Sequence, residues 1–351
     1  MDKTAQFTTK SLLKFRLELF GLAAIWIVFY HLTAIIPVSG TNPVKPVFDF
    51  FGYMGPGGVD LFLFFSAIGL SFSFPKNGVK HFYLNRLKRV FIPYLIIALI
   101  FYGWYDFGFL KDGVWEYILN VTTLNLWIKH GTFAWYVSFI FVLYAVFPLL
   151  YIGDKKTKHW LTIGLMAAFA IVEVIAYAIR IEPIIMFNRE WTRIIVFLFG
   201  ILAFDFLTKK DRNIPWWMTL TATILSIGLM VGAVFIYPEY LTMLRRLMLA
   251  AGWILMVVPY SFLREKKILN YIKYPLSYLG TCSLELYLFH IMIMRAVEQT
   301  GNIPALPVWA WYLIFLFGVP PVAYAYNLLF KWIYSIKKQP KNEAASNNQQ
   351  Q

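Results

Sequence analysis

Ten stretches of the chain are long and apolar enough to cross a lipid bilayer. They lie near 15–38, 48–74, 90–109, 133–153, 159–179, 191–208, 216–237, 246–263, 276–297 and 307–334. Some 30 Å of hydrocarbon takes about 20 residues of helix at ~1.5 Å each, so a run of this kind has few other folds open to it. Inside lipid the backbone has no water to bond to, and only a helix or a closed barrel satisfies it internally. Composition agrees: 60% of the 351 residues are hydrophobic and only 14% are charged, where a soluble domain carries about 25% charged residues. This excludes a soluble enzyme, a disordered chain and a disulfide-stapled secreted domain. The single cysteine, Cys282, has no partner for an internal disulfide. The expected fold class is all-α: a polytopic membrane protein of about ten transmembrane helices.

The formal charge of +14 would suggest nucleic acid in a soluble protein. In an apolar chain it points to membrane lipids and to loop orientation, and no nucleic-acid partner is expected. With the N-terminus inside, the segments 1–16, 75–89, 154–159, 208–215, 264–275 and 331–351 fall on one side and hold 23 of the 32 Lys and Arg. That bias supports N-in and C-in. The segment 113–128 is apolar on one side and reads as a helix lying at the interface. The domain expected is 1–335, followed by a polar Asn/Gln-rich tail at 336–351 that cannot bury apolar area and should be disordered.

An ionisable group in lipid is costly and usually faces the protein interior or a wet cavity. Those falling within the apolar stretches include Glu18, His31, Asp60, Glu173, Glu285, His290 and Arg295. His31 stands fifteen residues after Arg16, roughly 22 Å along a helix. His290 reaches a similar depth on the stretch 276–297, with Glu285 five residues earlier. The two histidines either share a cavity or are each hydrogen-bonded packing residues. Imidazole exchanges protons near neutral pH and suits general-base work on a hydroxyl. Asp60, by depth, is a candidate partner for His31; such a pair would fix the tautomer of the ring. Arg86 and Arg89, three apart, share a face if helical, and guanidinium forks fit phosphate oxygens. They are equally consistent with an ordinary positive-inside anchor. Ser66 and Ser71 carry no nucleophile motif. No P-loop, zincin or dinucleotide fingerprint occurs, and no metal is expected.

Four segments together resemble acyltransferase family 3, the integral-membrane O-acyltransferases of bacterial surface polysaccharides. The run Arg16 to His31 is similar to the family's first helix, which ends in its catalytic histidine. Gly58-Val59-Asp60-Leu61-Phe62 through Ser66 is similar to G-V-D-x-F-F-x-x-S-G. Phe82-Tyr83, then Arg86-x-x-Arg89 and Pro93-Tyr94, is similar to F-Y-x-x-R-x-x-R-x-x-P-x-Y. Ser283-Leu284-Glu285-Leu286-Tyr287-Leu288-Phe289-His290 is similar to a late S-x-x-x-Y-L-x-H, and Trp135-Tyr136 resembles the family's W-F/Y segment. Phe20 stands where many members carry a basic residue, leaving Arg16 or Lys14 as replacements.

The resemblance covers about 12–335. It implies an acyl-CoA donor, usually acetyl-CoA, with its phosphates on Arg86 and Arg89. It implies His31 as catalytic base or acyl carrier; Asp60, its candidate partner by depth, is the second catalytic candidate. Arg16, Glu18, Trp135, Tyr136, Glu285, Tyr287 and His290 are further site candidates. The acceptor would be a sugar hydroxyl of an extracytoplasmic or lipid-linked glycan, and the location the bacterial cytoplasmic membrane. The alternative from another class is a proton-coupled transporter or flippase, which ten spans with buried His and carboxylates also suit.

Overall fold

The computed structural model describes residues 7–336; the expected tail, apart from Ile336, lies outside them. Among these residues there is no strand, only an isolated bridge between Thr8 and Asn213. The principal helices are α1 (Arg16–Ile35), α2 (Gly57–Arg86), α3 (Ile92–Tyr102), α4 (Trp135–Lys156), α5 (Trp160–Ala178), α6 (Asn188–Thr208), α7 (Trp216–Val234), α8 (Thr242–Glu265), α9 (Lys273–Thr281), α10 (Ser283–Gln299) and α11 (Val319–Ile336). Large apolar side chains cover the outside, among them Leu149 at 74% exposure and Ile100 at 71%. An exterior of that kind belongs in lipid.

Every apolar stretch of the sequence falls on helix, yet by length and apolarity eight helices qualify as spans, nine if the pair α9–α10, bent by 69°, is one. The count differs from ten because 48–74 and 90–109 share one 65-residue helical run, Lys45–Phe109. Straight, that run would be about 97 Å long, three times the hydrocarbon thickness. It breaks at Gly78, whose φ of 67° and ψ of 175° are not helical. The bend is sharp: the rings of Phe74 and Phe82 lie 5.6 Å apart, where eight residues of straight helix would separate them by about 12 Å. Only glycine takes that backbone conformation without steric cost.

The segment 113–128, expected as one helix at the interface, is two short helices, Val114–Val121 and Asn125–Lys129, with Thr123 at positive φ between them. A buried polar knot explains the break. Asn120 donates to both carboxylate oxygens of Asp106 at 3.0 and 3.1 Å, and Asn125 donates to Asn120 at 2.6 Å.

α1 runs through the centre. Its contact with α9 is backbone against backbone: a Cβ on Gly21 would lie 1.9 Å from the Leu276 carbonyl oxygen, and one on Gly280 would lie 1.9 Å from that of Leu17. Small residues permit this approach, and association inside lipid relies on such close packing. α2 lies against α6 in the same way at Gly200, whose Cβ would stand 2.6 Å from the Phe64 carbonyl oxygen. These contacts set α1, α2 and α10 around one space.

Candidate active site

A cavity of about 790 Å³ is enclosed by α1, α2, α4, α10 and α11. At one end it is lined by Arg16, Arg86, Lys88, Arg89 and Lys331, and at the other by Tyr136, Tyr287 and His290. The basic end owes its shape to a π-helical turn, Leu87–Phe91, between α2 and α3. Such a turn widens the angle between residues three apart, so Arg86 and Arg89 do not share the single α-helical face their spacing implied. Both line the cavity nonetheless. Arg86 is half-buried, with its guanidinium over Tyr144 (5.5 Å) and Phe82 (5.7 Å). Arg89 is exposed. The carboxylate in the lining is Glu285, to which Asn327 donates at 2.8 Å.

At the aromatic end two imidazoles meet. His290, 1% exposed, places Nδ1 2.8 Å from the Leu286 carbonyl oxygen and Nε2 3.1 Å from Nδ1 of His31. A carbonyl oxygen only accepts, so in the neutral pair the His290 proton sits on Nδ1 and its Nε2 is an acceptor. The His31 proton then sits on Nδ1 and is donated to His290; the Ile27 carbonyl oxygen, 3.0 Å away, is a second acceptor for it. Both nitrogens of His290 are thus engaged, and the lone pair of His31 Nε2 is the basic site of the pair. His290 lines the cavity while His31, partly exposed, lies on its far side. Around them, Tyr287 donates its hydroxyl to the Phe133 carbonyl (3.4 Å) and accepts from the Tyr136 amide (3.3 Å).

Other candidates sit elsewhere than expected. The carboxylate of Asp60 faces Arg193 at 3.3 Å, not His31. The reason is that α6 supplies a buried guanidinium, which also donates to the carbonyls of Pro56 (3.1 Å) and Arg189 (3.2 Å). Trp135 stands under the same group, with Arg189 at 4.1 Å and Arg193 at 5.0 Å from its ring. Glu18 is held away from the cavity by Arg264 (2.5 and 3.1 Å) and by the hydroxyl of Tyr260 (2.7 Å). Of the sequence candidates, Arg16, Arg86, Arg89, Tyr136, Glu285, Tyr287 and His290 line the cavity. His31 adjoins it through His290, while Asp60, Glu18 and Trp135 are absent from its lining.

Lys88, Lys331 and Asn327 in the lining, and Arg193 beside Asp60, were not singled out from sequence. Arg193 had a legible signal, being a guanidinium inside the apolar stretch 191–208. Lys331 had none, since a lysine near the end of a span is ordinary.

No curated protein and no solved structure matches the chain. A family model described as an acyltransferase domain does match, over residues 21–328, a range that takes in the histidine pair and, apart from Arg16 and Lys331, the basic residues of the cavity mouth. Helices that suit lipid, a cavity between them and this match converge: the chain is a membrane protein belonging to acyltransferase family 3.

Proposed function

We propose that the protein transfers an acyl group, most simply acetyl, from cytoplasmic acyl-CoA to a sugar hydroxyl of an extracytoplasmic or lipid-linked glycan at the bacterial cytoplasmic membrane. The observation that carries the proposal is the polarity of the cavity, with cations at one end and an imidazole pair at the other. Family membership favours chemistry over transport.

The basic mouth faces the cytoplasm in the orientation favoured by the Lys/Arg bias. Phosphates of the donor lie among Arg86, Arg89, Lys88 and Lys331, where charge-assisted bonds are strongest. Arg16 and His31 are fifteen residues apart on α1, roughly 22 Å of rise, comparable with an extended pantetheine arm. The thioester then rests against Tyr136, Tyr287 and His290. An acceptor hydroxyl approaches the partly exposed side of His31, and Nε2 takes its proton as the oxygen attacks the thioester carbonyl. The C–S bond breaks, the new C–O ester forms, and the proton passes to the departing thiolate. The imidazolium formed in between is stabilised by the hydrogen bond from its Nδ1 to His290. An acyl group carried on His31 itself is the other order of events compatible with the same geometry.

The test is His31→Ala in purified, lipid-reconstituted protein. Loss of a general base should lower turnover by ~10²–10⁴-fold, with acetyl-CoA binding retained. Alanine at both Arg86 and Arg89 should instead weaken acetyl-CoA binding. Normal glycan acetylation by His31→Ala would overturn the proposal.

A further inference from the structure

Beside the donor cavity a second hollow, of about 470 Å³, opens between the end of α2, the π-helical turn and α4. Its lining is almost wholly apolar, with Leu84, Leu87, Phe91 and Phe141 against Lys80. Leu84 and Leu87 are 39% and 42% exposed. The hollow is tied at one edge by Tyr83, whose hydroxyl donates to the Ala145 carbonyl at 2.7 Å and so pins α2 to α4. Arg86 and Tyr144 line both this hollow and the donor cavity, so they are the wall the two share. Within that wall Nε of Arg86 is buried without a hydrogen-bond partner.

Hydrocarbon is the natural filling for such a lining, and the cations Lys80 and Arg86 call for an anion beside it. One component of the surrounding membrane joins both properties in a single molecule. We propose that this hollow is a binding site for one anionic phospholipid. Its phosphate lies by Lys80, and an acyl chain rests on Leu84, Leu87, Phe91 and Phe141. The bound lipid thereby closes the donor cavity on the side where only Arg86 and Tyr144 separate it from the bilayer. The acyl chain of a long-chain donor is a poorer occupant, because the thioester end of the cavity is the histidine end and this hollow adjoins the basic one. The site does not depend on the acyl-transfer reading: it requires only a membrane and these residues.

The experiment is native mass spectrometry of the full chain taken from phosphatidylcholine nanodiscs with and without phosphatidylglycerol. The wild type should retain one phosphatidylglycerol. Charge reversal in Lys80→Glu should lower that occupancy roughly 30-fold, taking ~1 kcal/mol per basic group near the lipid surface and its inversion as about twice that. Leu87→Trp, which fills the hollow, should abolish the adduct, and Lys80→Arg should keep it. Lys80 is exposed, so its variants leave the packing intact and remain informative if Leu87→Trp fails to fold. Three results would overturn the proposal. These are equal retention in Lys80→Glu, equal retention of phosphatidylcholine, and displacement of the adduct by inorganic phosphate, which would mark a site for soluble anions.

Discussion

Replacing His290 by phenylalanine removes one of the two acceptors of the His31 Nδ1 proton, leaving the Ile27 carbonyl oxygen, while keeping an aromatic ring in the site. In the wild type that bond is 3.1 Å long, and it becomes charge-assisted when His31 takes a proton from the acceptor hydroxyl. A hydrogen bond to a charged group contributes about 1.5–3 kcal/mol. Lost from the transition state, it should lower turnover roughly 10–150-fold. The mouth residues Arg86 and Arg89 lie at the other end of the cavity, so KM for acetyl-CoA should hardly move. Glutamine can place an amide oxygen close to the position of Nε2, and His290→Gln should restore most of the loss. The assay is steady-state release of CoA thiol with a glycan acceptor, varying each substrate in turn. Wild-type turnover in His290→Phe, alongside an inactive His31→Ala, would refute the pairing without touching the assignment of His31. A defect equal in Phe and Gln would show that His290 does not act by accepting the His31 proton.

Two further predictions concern stability, read from the thermal transition of a thiol-reactive dye, for which Cys282 is a single buried reporter. Gly280→Ala places a Cβ where the Leu17 carbonyl oxygen already stands at 1.9 Å; with backbone on both sides the cost should be about 3 kcal/mol, whereas Gly228→Ala, with open space around its Cβ, should leave the transition where it is. Arg264→Met leaves the buried carboxylate of Glu18 with Tyr260 alone and should cost about 3–5 kcal/mol, while adding Glu18→Leu should recover much of that loss.

The pairing of the buried charges was only partly visible in the sequence. Depth along α1 and α10 was enough to bring His31 and His290 together, because helical rise is nearly constant and both helices are anchored near the same level. Depth was not enough for Asp60, since several helices reach its level and the one that packs against it, α6, brings Arg193. Glu18 shows the same limit: its partner Arg264 is 246 residues away, and nothing local announces it.

What the sequence alone determined is what lipid dictates to any chain. Long apolar runs become helices, Lys and Arg gather in the connections, and the polar residues left inside the runs are few enough to name. The motifs at 16–31, 58–66, 82–94 and 283–290 carried the family. Tertiary structure decided every feature that depends on which helix touches which. The glycine contact of α1 with α9, the bend at Gly78 and the π-helical turn at Leu87–Phe91 are packing outcomes. Together they place three arginines at one end of a cavity and His290, paired with His31, at the other, because side-chain partners between helices depend on crossing geometry that periodicity does not encode.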